Sequence, residues 1–355
     1  MAKLPSCEDY EISIDTAPLI KAPILQGGYV EKVNDVIIRY VGGFCIVFPY
    51  YTTSKKIAVR CWIANVAHAQ QRSKLIAEYL HEKKLPYFVN FDYIENALAT
   101  NDGMQPIVVM DWVNADTLKE FLEKHINNQK DLLLLADKFK EMVAILHENN
   151  ISHGDLQHGN IMVQPNGELT LVDYDSLYVP TLEGYPDDIK GLLGYQHPAR
   201  MKSKNISNKN DYFSELIIYT SIVALAYYPQ LWHEKQIAQT ETLLFSADDI
   251  DQKGRSAIFS LLSNDKKSAG LLPNLSAAIK KELAKTSIDE LLPLELAIIS
   301  PSDKIRNKWN QKTETQPKEP YTPNTDITRE RWNAKKEIPQ YKVNIETESI
   351  AKKWQ

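Results

Sequence analysis

Between residues 36 and 112 the apolar positions come in short β-branched and aromatic runs: VIIRY, CIVFPYY, KIAVRCW and PIVVMDW. Turn formers separate them, at Gly42-Gly43, Thr52-Thr53-Ser54 and Asn101-Asp102-Gly103, and this alternation predicts an antiparallel sheet. Leu75, Ile76, Tyr79 and Leu80 recur at helical spacing. They predict one amphipathic helix within the sheet, from about Ala67 to Lys83. From residue 116 the pattern changes to long helical stretches, TLKEFLEKH and LLLLADKFKEMVAILHENN, then to two short apolar runs, NIMVQ and LTLVD, around the turn Pro165-Asn166-Gly167. The chain therefore reads as α+β and bilobal, a small β-rich lobe with one helix followed by a larger helical lobe. Residues 301–355 are rich in Lys, Glu, Thr and Pro with little to bury, which predicts a flexible polar tail. The expected organisation is an N-terminal extension over 1–35, the small lobe over 36–113, the large lobe over 114–300 and the tail over 301–355.

Composition narrows the classes of partner. Over 355 residues, 43% hydrophobic content is ample for a packed core. A net charge of -5 and a pI near 6.0 give no general attraction to nucleic acid or anionic lipid, so neither is expected as a partner. The run LIIYTSIVALAYYPQLW (216–232) approaches the minimum length of a membrane span, but it is broken by Pro229 and flanked by Glu215 and His233. It predicts a buried core helix. Three cysteines, Cys7, Cys45 and Cys61, are too few for a disulfide framework, and the opening MAKLPSCEDYEI carries no apolar signal region. A reducing cytoplasm is the expected location.

The chemistry concentrates in HGDLQHGN (153–160) and LVDYD (171–175). Asp155, Asn160 and Asp173 supply a carboxylate able to orient and deprotonate a hydroxyl, together with two oxygen ligands for a magnesium ion bridging phosphates. At these residues the chain resembles the protein-kinase superfamily, whose catalytic loop and metal-binding motif share the spacing. The resemblance covers about residues 36–298 and implies ATP and Mg2+ as cofactors, with Asp155 as catalytic base and Asn160 and Asp173 as metal ligands.

The remaining family positions are carried over one by one. YVGGFCIV (40–47) sits where the glycine-rich hairpin belongs, with Gly42 and Val47 matching. AVRCW matches the strand that bears the phosphate-binding lysine, with Arg60 in its place, and Glu78 stands where the family keeps the paired helix glutamate. An Arg60–Glu78 ion pair is therefore expected. VVMDWV (108–113) resembles the hinge, which implies Met110 as gatekeeper and adenine contacts from Asp111 and Val113. Val47 and Ala58 would cover the adenine from above and Met162 would support it from below. Beyond Asp173, YQHPA (195–199) and DYFSELIIYTSIVALA (211–226) resemble the end of an activation segment and the buried helix whose aspartate, Asp211, ties down the catalytic-loop backbone.

Four departures qualify the expected activity. Arg60 cannot copy a lysine's point contact to the phosphates, and Gln157 stands where Ser/Thr kinases place a catalytic lysine on the γ-phosphate. Both predict weak turnover. Gly154 replaces the arginine that docks a phosphorylated activation loop, and Asp175 replaces a glycine after the metal-binding aspartate. The resulting expectation is an unconventional Ser/Thr protein kinase acting on a protein substrate, resembling bacterial signalling components. A nucleotide-binding pseudokinase scaffold and a small-molecule phosphotransferase, whose families share the wording HGDL, are the alternatives. In the tail, Trp309, Trp332 and Trp354 each follow a basic residue and trail an isoleucine. They read as copies of one partner-docking motif.

Overall fold

The computed structural model describes residues 4–66 and 68–298, so the tail and its three tryptophan motifs lie outside the described residues. The small lobe is built on a six-stranded antiparallel sheet. Its central strands are β5 (Cys45–Tyr51), β6 (Lys56–Trp62), β8 (Gly103–Asp111) and β7 (Phe91–Thr100), in that spatial order, with β1 (Tyr29–Val30) and β4 (Tyr40–Val41) both pairing to β5. A separate short hairpin joins β2 (Lys32–Val33) to β3 (Val36–Ile37). The β5–β6 turn is held by Thr52, whose hydroxyl oxygen accepts the Lys55 N–H at 3.0 Å, a local bond that favours turns over strands.

Residues 4–35 are integral to this lobe rather than an appendage. Helix α1 (Cys7–Asp15) starts with a capping box, Ser6 and Asp9 exchanging side-chain-to-backbone bonds. It docks on the outer sheet face through Tyr10, which donates to the Trp62 carbonyl at 3.1 Å, and Ser13, which donates to the Ala99 carbonyl at 2.8 Å. Tyr10, Ile14, Ile20, Ala22, Leu25 and Val30 bury themselves against Ile46, Phe48, Tyr50, Val59 and Ile107. The opposite sheet face meets α2 (Ala69–Lys83), which buries Arg72, Ser73, Ile76, Ala77, Tyr79 and Leu80.

The large lobe begins at β9 (Asp116–Thr117) and α3 (Leu118–His125), capped by Thr117 and Glu120. The long helix α4 (Gln129–Glu148) buries Leu132, Leu135, Ala136, Phe139, Met142, Val143 and Leu146, the single stripe that a 3.6-residue period produces. It packs on α5 (Tyr212–Tyr227), which is buried on every face from Phe213 to Ala226. That all-round burial is why its sequence looked membrane-like. Among the described residues, no helix is long and apolar enough to cross a membrane. Between α4 and α5, β10 (Ile161–Val163) pairs with β11 (Leu169–Leu171) and with β9. This small sheet carries the catalytic-loop sequence at the junction of the lobes.

Candidate active site

Strand register gathers one set of side chains under the small lobe. Val47 lies opposite Arg60, and Ala58 opposite Met110; since side chains alternate along strands, these four share one sheet face. They line a cavity of about 450 Å³ together with Gly42, Asp111, Val113, Met162 and Asp173. Every residue the sequence assigned to nucleotide contact is in that group. Tyr40, Cys45, Trp112 and Val172 also line it. They were missed because the hairpin match ran through its glycine and the hinge match through its backbone positions. Tyr40 and Trp112 bring their rings to 6.1 Å across the mouth, and the Lys56 ammonium stands 4.3 Å over the Trp112 ring. The Asp111 carboxylate is paired to Lys55 and accepts from Asn90, which steadies the hinge. A wider hollow of about 790 Å³ lies between Tyr87, Lys138, Glu141 and the β10–β11 turn, but no catalytic-loop residue lines it.

The catalytic loop is braced from below. Asp211, 1% exposed at the start of α5, accepts the Gly154 N–H at 2.9 Å and also the His153 N–H. The His153 ring bonds the Val172 carbonyl at 2.9 Å, joining the loop to the strand that leads to Asp173. Asn160 donates its side-chain amide to the Asp155 carbonyl at 2.9 Å and to the Asp155 carboxylate at 3.3 Å. The Val172 N–H donates to the Asn160 carbonyl at 3.0 Å. Asp173 is exposed and holds φ 63°, a left-handed conformation uncommon outside glycine and typical of constrained functional positions. Behind the loop, His158 bonds the Tyr195 hydroxyl at 2.7 Å. Burial, helped by Lys119, lowers its pKa to about 4, so it is neutral at pH 7.

One expectation is corrected. Arg60 does not pair with Glu78; its partner is Asp175, and Glu78 is exposed. The reason is helix phase. Ile76 faces Arg60 and Asp175, and a residue two positions further is turned by about 200°, onto the far side. Gln157 does not extend as a catalytic lysine would, because its side-chain oxygen accepts the Gly159 N–H at 2.7 Å and closes the turn of the loop itself.

The segment after Asp173 folds back over the loop. Asp155 accepts the Leu192 N–H at 2.8 Å. Arg200 and Asp187, both fully buried, form a two-pronged pair at 3.1 and 3.2 Å, and Arg200 also donates to the carbonyls of Gly154 and Ile189 and to Gln196. Gly154 has φ 77°, and an added Cβ would collide with the Ser176 carbonyl. The arginine common at this position in kinases has no room, and Arg200 instead bonds the carbonyl of Gly154 itself.

A bilobal fold with a cavity at the lobe junction, a braced carboxylate–amide loop and a covering segment defines a kinase-type scaffold. Comparison with known families agrees: residues 41–273 match the protein kinase domain. The chain belongs to the protein kinase family. It is 24% identical over 263 residues to the rat interferon-induced, double-stranded RNA-activated protein kinase, covering 67% of this chain and 49% of that one. It is 31% identical over 136 residues to a probable serine/threonine-protein kinase, mkcC, of Dictyostelium discoideum (38% of this chain, 15% of that one). The human phosphorylase b kinase gamma catalytic chain, liver/testis isoform, is 27% identical over 167 residues, with 44% and 41% covered. The chain thus spans half or less of these relatives' own lengths.

Proposed function

We propose that this chain is an ATP- and Mg2+-dependent Ser/Thr protein kinase. The observation that carries the reading is the hydrogen-bonded Asp155–Asn160 unit joined through Val172 to Asp173, which itself lines the apolar cavity. A flat apolar slot ending in a hinge suits a purine. Arg60 at its inner end suits the phosphates. The donor set also fits magnesium: Asn160 uses its amide N–H groups on Asp155, which leaves its oxygen for a cation, and Asp173 offers a carboxylate. Mg2+ takes one or two protein oxygens and completes its shell with phosphates and water, so a larger acidic cluster is not needed. Held by Asn160 and Asp173, the ion would offset the charge of the phosphates.

Asp155 orients the acceptor hydroxyl and takes its proton, while the Leu192 N–H holds the carboxylate in place. The covering segment leaves Leu193 62% exposed beside it, a surface suited to a peptide rather than to a small polar acceptor. Ser/Thr specificity is favoured by the likeness to the probable serine/threonine-protein kinase of Dictyostelium discoideum. A second reading, a nucleotide-binding scaffold with little turnover, is favoured by Gln157, whose side-chain amide closes its own loop and supplies no cation from the loop to the γ-phosphate.

One experiment separates them. The full chain incubated with γ-labelled ATP and Mg2+ should transfer label to itself or to a general protein substrate. Asp155→Asn should lower the rate on the order of a thousandfold or more while retaining the ATP-induced rise in melting temperature. Binding without transfer in the unaltered chain would favour the scaffold; transfer undiminished in Asp155→Asn would remove Asp155 from the mechanism.

A further inference from the structure

Arg60 is 5% exposed, and a guanidinium that deep needs a partner. The family's usual partner, a helix glutamate, is absent here because Glu78 faces away. Arg60 also has an unusual location. It lines both the nucleotide cavity and a second, water-sized space enclosed by Phe44, Arg72, Ser73, Ile76, Tyr174, Asp175 and Ile189. The guanidinium stands between the two spaces, with Asp175 bonding it from the second.

Asp175 is a rigid mount. Its neighbour Tyr174 is 1% exposed, donates its hydroxyl to the Leu171 carbonyl at 2.8 Å and accepts the Val89 N–H at 3.0 Å. The Tyr174 ring rests against Phe88 and Phe91 at 5.4 and 5.3 Å. A carboxylate fixed next to such an anchor has little freedom to leave the arginine. The planar fork has five donors, and among the described residues its guanidinium spends one, on Asp175. The others remain for a ligand in the cavity.

We propose that Asp175 is the positioning residue for Arg60, taking the place of the helix glutamate and aiming the fork at the phosphates of the bound nucleotide. This rests on the nucleotide-binding reading above. The same pairing explains two departures as one change. A lysine exchanged for a branched, planar cation and a glycine exchanged for an aspartate form a matched set. The phosphate-binding cation is then set by the segment that bears Asp173, not by the position of α2.

The test compares Mg-ATP with adenosine as ligands of the full chain, by titration calorimetry. Asp175→Asn should weaken Mg-ATP on the order of tenfold, the loss of one charge-assisted bond, and leave adenosine unchanged. Asp175→Glu should recover part of the loss. In an Arg60→Ala background, Asp175→Asn should add less than about twofold, because the two act as a unit. Unchanged ATP affinity in Asp175→Asn overturns the proposal. Tighter binding also does, since Asp175 would then compete with the phosphates, and so does equal loss of adenosine, which marks general damage. A raised magnesium requirement that persists without Arg60 would make Asp175 a metal ligand instead. If the unaltered chain binds neither ligand, the nucleotide-binding reading itself fails and this proposal with it.

Discussion

Two arginine–aspartate pairs flank the catalytic loop, and they use the same chemistry in opposite ways. Arg200 spends all five guanidinium N–H groups inside the protein, on Asp187, Gly154, Ile189 and Gln196, with both partners fully buried. Arg60 spends one, on an aspartate that is one-fifth exposed, and borders a cavity. A saturated arginine can only hold structure together. An unsaturated one beside an opening is available to a ligand, and the count of spent donors separates the two roles better than charge or burial does.

The largest effect expected from breaking this comparison is at the saturated pair. Arg200→Met should lower unfolding stability by ~3–5 kcal/mol, because Asp187 then keeps a buried charge without its two-pronged partner. Urea unfolding measures it, and Arg60→Met should cost clearly less. Equal costs would erase the distinction. A third buried pair offers a titratable version. His147 bonds Glu215 at 3.0 Å and Glu295 at 3.5 Å. Burial alone would lower its pKa, but the bonds and charges of the two glutamates raise it to about 10. Burial also lifts Glu215, to about 7 against the pull of His147, so the charged carboxylate is the costly form of the pair. A raised histidine pKa gives stability that is full below about pH 6.5 and is lost as pH rises through about 10. Melting temperature should therefore fall between pH 7 and 10.5, and His147→Gln should flatten that fall. A fall of the same size in the variant would assign it to other groups. The smallest effect is expected at Glu78→Gln. It should change stability by less than about 0.5 kcal/mol and leave Mg-ATP affinity alone; a weakened affinity would restore the helix glutamate to the site.

The two lobes and the buried helix were legible because strand alternation and helical period are local, whereas the residues around the cavity came from the resemblance to the protein-kinase family, carried over position by position. What the sequence did not carry is mostly a matter of docking. The partner of Arg60 depends on which face α2 turns inward, and a register match with Glu78 holds no information on that. Strand β7 escaped notice because Asp92, Glu95 and Asn96 interrupt its apolar pattern. Its register shifts between Ile94 and Leu98, with Asn96 at φ 52°, so Glu95 and Asn96 sit at an irregularity rather than in a loop. Gln157 was read for its position in the family pattern, whereas a short amide two residues before a glycine can also satisfy that glycine's N–H. The N-terminal residues lack a long periodic run, and their role appears only when Tyr10, Ser13 and Leu25 meet the sheet.

That last contact bears on where the domain should be cut. The family match begins at residue 41, yet the core of the small lobe begins with Tyr10 and Ile14. A gene trimmed to the matched boundaries would encode a sheet with Ile46, Phe48, Tyr50 and Val59 stripped of their cover. It would also lose the carbonyl of Leu25 that receives the Tyr50 hydroxyl at 2.8 Å. A bare apolar sheet face of that kind is a site for self-association, so an insoluble product from such a trimmed gene would report on the choice of boundary and not on the protein. The usable unit has to include the stretch from Leu4 onward, since Leu4 already packs against the core.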